Sequence, residues 1–320
     1  MVRSIAIVGA GIAGLACARA LRAADRSEDG RARLFDKGRS PGGRVATRRV
    51  ETTSGTAQFD HGAQFFTARD PGFVAALGEL DTKASMPWDA LKDRDGRVSA
   101  PGMSALPKAF AQGLDIVCAT QVVDILGARR EWSLKAADGK SLGVFDAVII
   151  ATPAEQAAPL LAGVALCFAE EARAAVTAPC WTGLFAVERA VASNAMAFDL
   201  KDHPVLGWLA CDSAKPGRAD APSCWVAQAN AEWTRAHLEQ SPEEVAPLLL
   251  DATSSVLGVL PAPLVMQAHR WRYAKVECSA PTPFAWDGDL GIGVCGDWRI
   301  GPRVECAWMS GDALGRAMLA

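Results

Sequence analysis

The sequence predicts an α/β fold joined to a second, α+β part that is built on an antiparallel sheet. Three observations lead to this prediction. The chain opens with an apolar strand, a glycine-rich turn and an alanine-rich helix between Ser4 and Ala24. Short buried strands of the same kind return in FDAVIIATP and near the carboxyl end. The segments between them alternate strand-like apolar runs with a strongly capped helix, which is typical of an antiparallel sheet with helices.

Length and composition place the chain among folded globular proteins. Its 320 residues accommodate about two domains, and 50% of them are hydrophobic and 22% charged. A formal net charge of −3 argues against a basic nucleic-acid-binding surface. No apolar run reaches the ~18 residues of a membrane helix. We therefore expect a protein that binds neither nucleic acid nor membrane.

The nine cysteines are scattered, odd in number and form no C-x-x-C pair. This pattern argues against a disulfide framework and against zinc, and it favours a reducing compartment. We therefore expect no metal and a cytoplasmic location. A secretion signal is the alternative interpretation of Arg3, the apolar stretch and Ala-Cys-Ala, but glycines at regular offsets weaken a signal helix.

A glycine-rich turn follows the first predicted strand. Gly9, Gly11 and Gly14 form G-x-G-x-x-G before a helix predicted over residues 12–24. In nucleotide-binding turns the first glycine permits the turn, the second lets the backbone approach a pyrophosphate, and the third lets helix and strand pack closely. The helix start, at Ile12 and Ala13, offers free N–H groups to phosphates. These features predict a Rossmann-type dinucleotide site.

An acidic residue at the end of the next strand strengthens this prediction. Asp36 follows the apolar pair Leu34 and Phe35, about 20 residues beyond the glycine turn. A carboxylate at this position accepts hydrogen bonds from a ribose diol, and we include the neighbouring Lys37 in the predicted site. The same fingerprint serves NAD and FAD. A plain NAD-binding dehydrogenase therefore stays open at this point.

The next stretch, GRSPGGRVATRR, distinguishes these two classes. Gly42 and Gly43 let the chain pass close to a ligand, and Arg44 can pair with a diphosphate. At this spacing G-G-R resembles the amine-oxidase-like branch of FAD-dependent oxidoreductases rather than NAD dehydrogenases. The resemblance implies FAD. Cys306 stands in R-V-E-C-A and not in the S-G-G-C-Y sequence of covalent amine oxidases, so we expect non-covalent binding.

Within that branch, FDHGAQFFTAR (59–69) is similar to the D-x-G-A-Q-[YF]-[FI]-T segment of the renalase family. The resemblance implies that Gln64 and Phe65 lie beside the flavin. It also implies that further cofactor contacts follow in order along the chain, with a last helix predicted over residues 307–318. These are Val122 in ATQVVDI, Thr152 in FDAVIIATPAEQ, Gly296 and Asp297 after the last strand, and Val304, Glu305 and Ala307 near the start of the last helix.

The segment HRWRYAKV is the predicted substrate-side element. It joins cations and aromatic rings just before the last cofactor motif, and renalase-like sequences carry a similar H-R-W-x-Y-A stretch. Aromatic side chains can wall a planar substrate, and cations can meet its phosphate or amide groups. His269, Trp271 and Tyr273 are therefore the candidate catalytic residues. The alternative is a strand that returns to the sheet with alternate residues in solvent.

The order of the motifs predicts a discontinuous domain. Residues 1–70, 105–155 and 287–320 carry the cofactor motifs, whereas residues 71–104 and 156–286 are predicted to form the substrate domain. The substrate is expected to lie between that domain and the flavin.

The resemblance implies an FAD-dependent oxidase acting on the 2- and 6-dihydro isomers of NAD(P)H. Hydride passes to the flavin, dioxygen reoxidises it, and hydrogen peroxide and NAD(P)+ are released. Two alternatives stay open: an amine oxidase or other oxidoreductase of the same superfamily, and a flavin-binding sensor without turnover. No lysine clearly matches the flavin-facing lysine of classical amine oxidases, which disfavours an amine oxidase.

Overall fold

The computed structural model describes residues 4–24, 32–191, 193–219 and 221–320. Within these ranges the strands, in chain order, are β1 (Ile5–Val8), β2 (Ala32–Phe35), β3 (Thr47–Thr52), β4 (Gly55–Asp60), β5 (Met86–Pro87), β6 (Arg97–Val98), β7 (Asp115–Val117), β8 (Val122–Ala128), β9 (Glu131–Ala136), β10 (Ser141–Phe145), β11 (Ala147–Ile150), β12 (Val176–Val187), β13 (Ala197–Asp199), β14 (Leu206–Cys211), β15 (Ser223–Ala229), β16 (Val265–Cys278), β17 (Ala285–Asp287) and β18 (Ile292–Val294). The helices are α1 (Ile12–Ala24), α2 (Pro71–Gly78), α3 (Ala105–Ala111), α4 (Ala154–Leu161), α5 (Leu166–Ala174), α6 (Ala231–Ala236), α7 (Pro242–Leu257) and α8 (Val304–Ala317). Short 3₁₀ turns span Thr82–Ala84, Asp89–Arg94, Asp212–Ala214 and Asp297–Arg299.

A six-stranded sheet forms the α/β part. Its order is β17-β18-β11-β1-β2-β7, and neighbours are parallel except at the edge pair β17–β18. The central strand β1 is apolar throughout because both of its faces are covered. Ile5 and Ile7 share a core with residues of α1 and α8, whereas Ala6 and Val8 share one with residues of α4 and α5. The predicted α/β fold is confirmed.

The ends of this sheet agree with most of the sequence expectations. Helix α1 spans the predicted range, Asp36 follows β2 directly, and the apolar strand in FDAVIIATP pairs parallel with β1 as β11. The last helix begins at Val304, before the predicted Ala307, because Arg303 is still extended and helical dihedrals follow it at once. This earlier start places the free N–H groups of the first turn at Val304 and the residues that follow it.

A second, antiparallel sheet has the order β13-β14-β15-β12-β16. Three of its strands, β12, β14 and β15, overlap the apolar segments CWTGLFAVERAV, GWLACDS and SCWVAQAN. Helix α7 covers this sheet, and the buried Trp181 and Trp225 share a core with its Val245 and Leu249. A capping box begins α7: the Ser241 side chain accepts from the N–H of residue 244, whose carboxylate accepts from the Ser241 N–H. The predicted α+β part is confirmed.

Smaller sheets complete the structure: β8, β9 and β10 form a three-stranded antiparallel sheet, and β3–β4 and β5–β6 form ribbons. Since the six-stranded sheet takes its strands from three separated stretches of the chain, we retain the discontinuous cofactor domain as a proposal. In the part of the chain that the structure describes, no helix is both long and apolar enough to cross a membrane.

Candidate active site

A cavity of about 1600 Å³ lies between the carboxyl end of the six-stranded sheet and the five-stranded sheet. This volume exceeds the roughly 300–1,000 Å³ of ordinary small-ligand pockets. In an open α/β sheet, ligands bind at the carboxyl ends of the strands. The predicted site residues that line the cavity are Gly9, Gly11, Ile12, Ala13, Asp36, Lys37, Gly43, Arg44, Gln64, Phe65, Val122, Thr152, His269, Trp271, Tyr273, Gly296, Asp297, Val304 and Ala307.

Glycine is found at the three positions of the first turn for different structural reasons. Gly9 has φ +108°, and a Cβ there would lie 2.8 Å from the carbonyl oxygen of Ala151, which follows β11. Gly14 does not line the cavity, and its role is in packing. A Cβ there would lie 2.0 Å from the carbonyl oxygen of Gly9, so only glycine lets the helix approach the turn this closely. At Gly11 a Cβ would meet nothing within 4 Å. The backbone of Gly11 is therefore open to a ligand, as its predicted role requires.

Asp36 is held in place by its own neighbourhood. Its Oδ2 accepts from the N–H of Ala10 at 2.7 Å, and its Oδ1 accepts from the N–H of Gly38 at 2.6 Å. Two charge-assisted hydrogen bonds of this length fix the carboxylate at the cavity wall. Lys37 extends beside it and donates to Oε1 of Gln156 at 3.2 Å.

Arg44 and Asp297, two predicted cofactor contacts far apart in sequence, form an ion pair. Nη2 of Arg44 lies 2.6 Å from Oδ1 of Asp297, whose side chain is 10% exposed. Nη1 of Arg44 donates to the carbonyl oxygen of Ala274 in β16 at 3.1 Å. Arg44 thus connects the G-G-R loop, the C-terminal motif and the substrate-side strand.

The start of α8 lines the cavity through Val304 and Ala307. Glu305 differs from the sequence expectation, because its buried carboxylate is turned away from the cavity. Its Oε1 accepts from the N–H groups of Arg69 and Asp70, the second at 2.6 Å. The position of the helix start decides which side chains of its first turn face a ligand. Glu305 therefore anchors the segment that follows Gln64 and Phe65.

Gln64 and Phe65 lie side by side on the cavity wall. The Phe65 ring packs on Trp208, with ring centroids 5.4 Å apart. Nε2 of Gln64 donates to the carbonyl oxygen of Asp60, and its Oε1 accepts from Nζ of Lys215 at 3.4 Å. Hydrogen bonds therefore fix both the nitrogen and the oxygen of the Gln64 side-chain amide.

A buried ion cluster, formed by Asp60, Asp212, Lys215 and Arg218, stands behind Gln64. Nζ of Lys215 lies 3.2 Å from Oδ2 of Asp60 and 2.5 Å from Oδ1 of Asp212. Arg218 reaches the same Asp60 oxygen at 2.7 Å. Burial raises the pKa of Asp212 to about 6, against the opposing effect of Lys215. At Asp60 burial would raise the pKa, but Lys215 and Arg218 outweigh it and the pKa falls below its usual value.

A bulge in β16 presents the predicted substrate-side residues. Trp271 stands opposite Cys180, yet Lys275 stands opposite Ala178, so three residues of β16 face Pro179 alone. Proline lacks the N–H that a continuous ladder would use, and bulges turn side chains toward neighbouring sites. Tyr273 lies in this bulge and reaches the cavity.

Two histidines and a tryptophan form the inner part of this wall. The His269 ring meets the His61 ring edge to face at 4.9 Å, and Trp271 stacks on His61 at 5.2 Å. Nε1 of Trp271 donates to the carbonyl oxygen of His61 at 2.7 Å. Burial, then the nearby His269 and Arg48, lower the pKa of His61 to about 3. Burial, then Arg48, lower the pKa of His269 to about 4.

Comparisons with known proteins agree with this geometry. Residues 7–80 match the profile of NAD(P)-binding Rossmann-like domains, and residues 88–311 match that of flavin containing amine oxidoreductases. Renalase from Mus musculus is 25% identical over 299 residues, which cover 86% of this chain and 86% of that protein.

Solved structures show the same fold. An Exiguobacterium sp. 255-15 protein, provisionally named a protoporphyrinogen oxidase, has a TM-score of 0.76 at 12% identity, over 99% of this chain and 98% of that one. Cyclohexylamine oxidase from Brevibacterium oxydans has a TM-score of 0.67 at 13% identity, over 99% of both chains. At sequence identities this low, the structural similarity shows a shared fold and nothing about activity.

The second profile spans more than two thirds of the chain, and it covers the β16 wall and the start of α8 together. The likeness to renalase covers 86% of this chain. The chain therefore belongs to the flavin containing amine oxidoreductase family, as a renalase-like, flavin-dependent oxidoreductase.

Proposed function

We propose that the chain binds FAD non-covalently and oxidises the 2- and 6-dihydro isomers of NAD(P)H. The cradle fits an adenine dinucleotide: the backbone at Gly11 is open, and the fixed carboxylate of Asp36 can accept from a ribose diol. The starts of α1 and α8 offer N–H groups to the pyrophosphate and the flavin. Cys306 is buried and does not line the cavity, which supports non-covalent binding.

When bound, FAD supplies two-electron oxidation of the substrate and passes the electrons to dioxygen, which gives hydrogen peroxide. The protein's own contribution is binding and orientation. Neutral His269, the Trp271 ring and the single tyrosine, Tyr273, form a wall suited to a flat, uncharged ring. Hydride transfer from a dihydropyridine needs no side-chain base.

The charges around the five-stranded sheet are the observation that favours one class of substrate over another. Its cavity-lining carboxylates are already paired, Asp199 with Arg94 at 2.7 Å and Glu277 with Arg235 at 2.5 Å. Lys201 and Lys275 line the same side. Among the described residues of this wall, an ammonium substrate finds no unpaired carboxylate, whereas the phosphates of a nucleotide find cations. This arrangement favours a dihydronicotinamide nucleotide over an amine.

Oxygen consumption tests the proposal. Air-equilibrated protein is mixed with each dihydronicotinamide isomer, with ordinary 4-dihydro NADH, and with a panel of mono- and diamines. The proposal expects one hydrogen peroxide and one NAD(P)+ per isomer oxidised, and little turnover of the others. Turnover of amines alone would replace it with an amine oxidase. A flavin that no substrate reduces would favour a sensor.

A further inference from the structure

Arg48 and His269 meet behind the substrate-side wall. Arg48 lies on β3 and His269 on β16, so folding alone brings them together. Nη2 of Arg48 lies 3.2 Å from Nδ1 of His269, and Nη1 lies 3.4 Å from Oε1 of Gln267. His269 lines the cavity and Arg48 does not. The guanidinium therefore meets the Nδ1 edge of the imidazole and belongs to a residue outside the cavity lining.

This contact determines which ring nitrogen carries the proton. A guanidinium donates hydrogen bonds and cannot accept them. Nδ1 of His269 must therefore be the acceptor, and in the neutral ring the proton then resides on Nε2. Since Nε2 is not the nitrogen that meets Arg48, the N–H of the neutral ring is not engaged by this contact, and it belongs to a side chain that lines the cavity.

We propose that Arg48 is a positioning residue that holds His269 as an Nε2–H hydrogen-bond donor, which recognises an acceptor oxygen on the substrate. This inference rests on the proposed function, because the carboxamide oxygen of a dihydronicotinamide is an acceptor of that class. In this role His269 donates a hydrogen bond throughout and takes no proton from the substrate.

The groups around His269 keep its ring neutral. Arg48 from β3 places a positive charge at one edge, and His61, from the turn after β4, packs its own neutral ring on the other side. On β12, the residue opposite His269 is the uncharged Thr182, and Trp271 packs edge to face at 4.5 Å. Burial, then Arg48, lower the pKa of His269 to about 4, so the ring stays neutral from about pH 5 to 8.

Nitrogen-15 spectra of the flavin-bound protein test this assignment directly. The chain has four histidines, and the His269→Gln variant identifies the signal of that ring. In the wild type we expect an unprotonated Nδ1 and a protonated Nε2 at every pH from 5 to 8. A wild-type ring with its proton on Nδ1, or one that titrates near its usual pKa of about 6.5, would overturn the proposal.

Variants of Arg48 test whether that residue is the cause. In Arg48→Met we expect the two tautomers to mix and the ring to titrate closer to its usual range, whereas Arg48→Lys keeps a donor and a charge and retains the wild-type signal. Arg49→Met is the matched control, because Arg49 is the next residue on β3 and is exposed. An unchanged His269 signal in Arg48→Met refutes the role of Arg48.

Rates of flavin reduction separate this inference from the proposed function. With a dihydronicotinamide isomer as reductant, His269→Leu should lose about tenfold in rate, the worth of one neutral hydrogen bond, and His269→Gln, which keeps a donor, should lose much less. Equal rates in the two variants contradict a donor role. If no isomer reduces the wild type, the proposed function fails, and the nitrogen-15 spectra still decide the part that Arg48 plays.

Discussion

At the scale of single residues, Arg44 connects three parts of the chain through Asp297 at 2.6 Å and the carbonyl oxygen of Ala274 at 3.1 Å. We expect Arg44→Ala and Asp297→Ala each to weaken FAD retention by about 1.5–3 kcal/mol, because each loses charge-assisted hydrogen bonds. The effects should be less than additive in the double variant, since the first substitution already breaks the pair. Flavin released on dilution measures the dissociation constant. Arg49→Ala is the control, and wild-type retention in both single variants would refute the cofactor assignment.

Lys215 is predicted to matter for stability through the buried ion cluster. Lys215→Met leaves Asp60 and Asp212 buried with one cation fewer, which should cost about 3–5 kcal/mol of unfolding free energy. Urea unfolding measures this loss. Lys135→Met, on the exposed face of β9, should change it by less than about 0.5 kcal/mol. Equal stability of the two variants would contradict the account of the cluster.

The sequence pointed to Gln64 but not to the residues that hold it. Asp60 stands in the quoted D-x-G-A-Q segment, so one of the four residues of the cluster had a signal in the sequence. Lys215 and Arg218 are about 150 residues away, in a stretch without a recognised motif, and a lysine in a linear sequence looks like a surface residue. A contact between such distant residues depends on the packing of the two sheets, which local patterns do not report.

At the scale of elements, helices α1 and α8 pack with almost no space between their backbones. A Cβ on Gly311 of α8 would lie 2.0 Å from the carbonyl oxygen of Ala13, which is part of the dinucleotide turn. Gly311→Ala should therefore push the helices apart, lower the unfolding free energy by about 3 kcal/mol or more, and release the flavin. Gly163→Ala is the control, since nothing lies within 4 Å of a Cβ there. Thermal unfolding and flavin content are the measurements, and matching values in the two variants would rule out this packing role.

The sequence predicts the strands and helices that nearby residues determine, but it does not predict irregular features such as the β16 bulge. The glycine spacing and the apolar runs were enough to predict β1, α1 and β11, because these elements are determined by nearby residues. The bulge in β16 was missed, since it depends on Pro179 in a partner strand far away in sequence. The cavity-facing residues of HRWRYAKV were foreseen, but the route by which Tyr273 reaches the cavity was not.

At the scale of the whole molecule, buried histidines connect stability to pH. The folded-state pKa of His61 is lowered to about 3 from 6.5, so between these values the unfolded state binds a proton that the folded state does not. The unfolding free energy should therefore fall with falling pH in this window, by up to about 1.4 kcal/mol per pH unit. His269, with its pKa lowered to about 4, adds a slope of the same sign over the narrower window between about pH 6.5 and 4. Asp212, with its pKa raised to about 6, opposes both between about pH 6 and 3.8.

The variant His61→Phe isolates this contribution. It removes one linked proton, so the acid slope of the unfolding free energy should become shallower by about 1.4 kcal/mol per pH unit between roughly pH 6 and 4. Urea unfolding at several pH values gives the slope independently of any change in absolute stability. An unchanged slope would show that His61 is not held neutral in the folded protein.

An anaerobic experiment shows whether the flavin of this protein accepts hydride from dihydronicotinamide isomers. The visible spectrum of the purified protein is recorded, and anaerobic NADH containing its 2- and 6-dihydro isomers is then mixed in. We expect a yellow protein that the isomers bleach rapidly and that pure 4-dihydro NADH barely bleaches. A yellow protein that stays oxidised with all three would contradict the substrate, and a colourless protein that FAD cannot reconstitute would contradict the cofactor site.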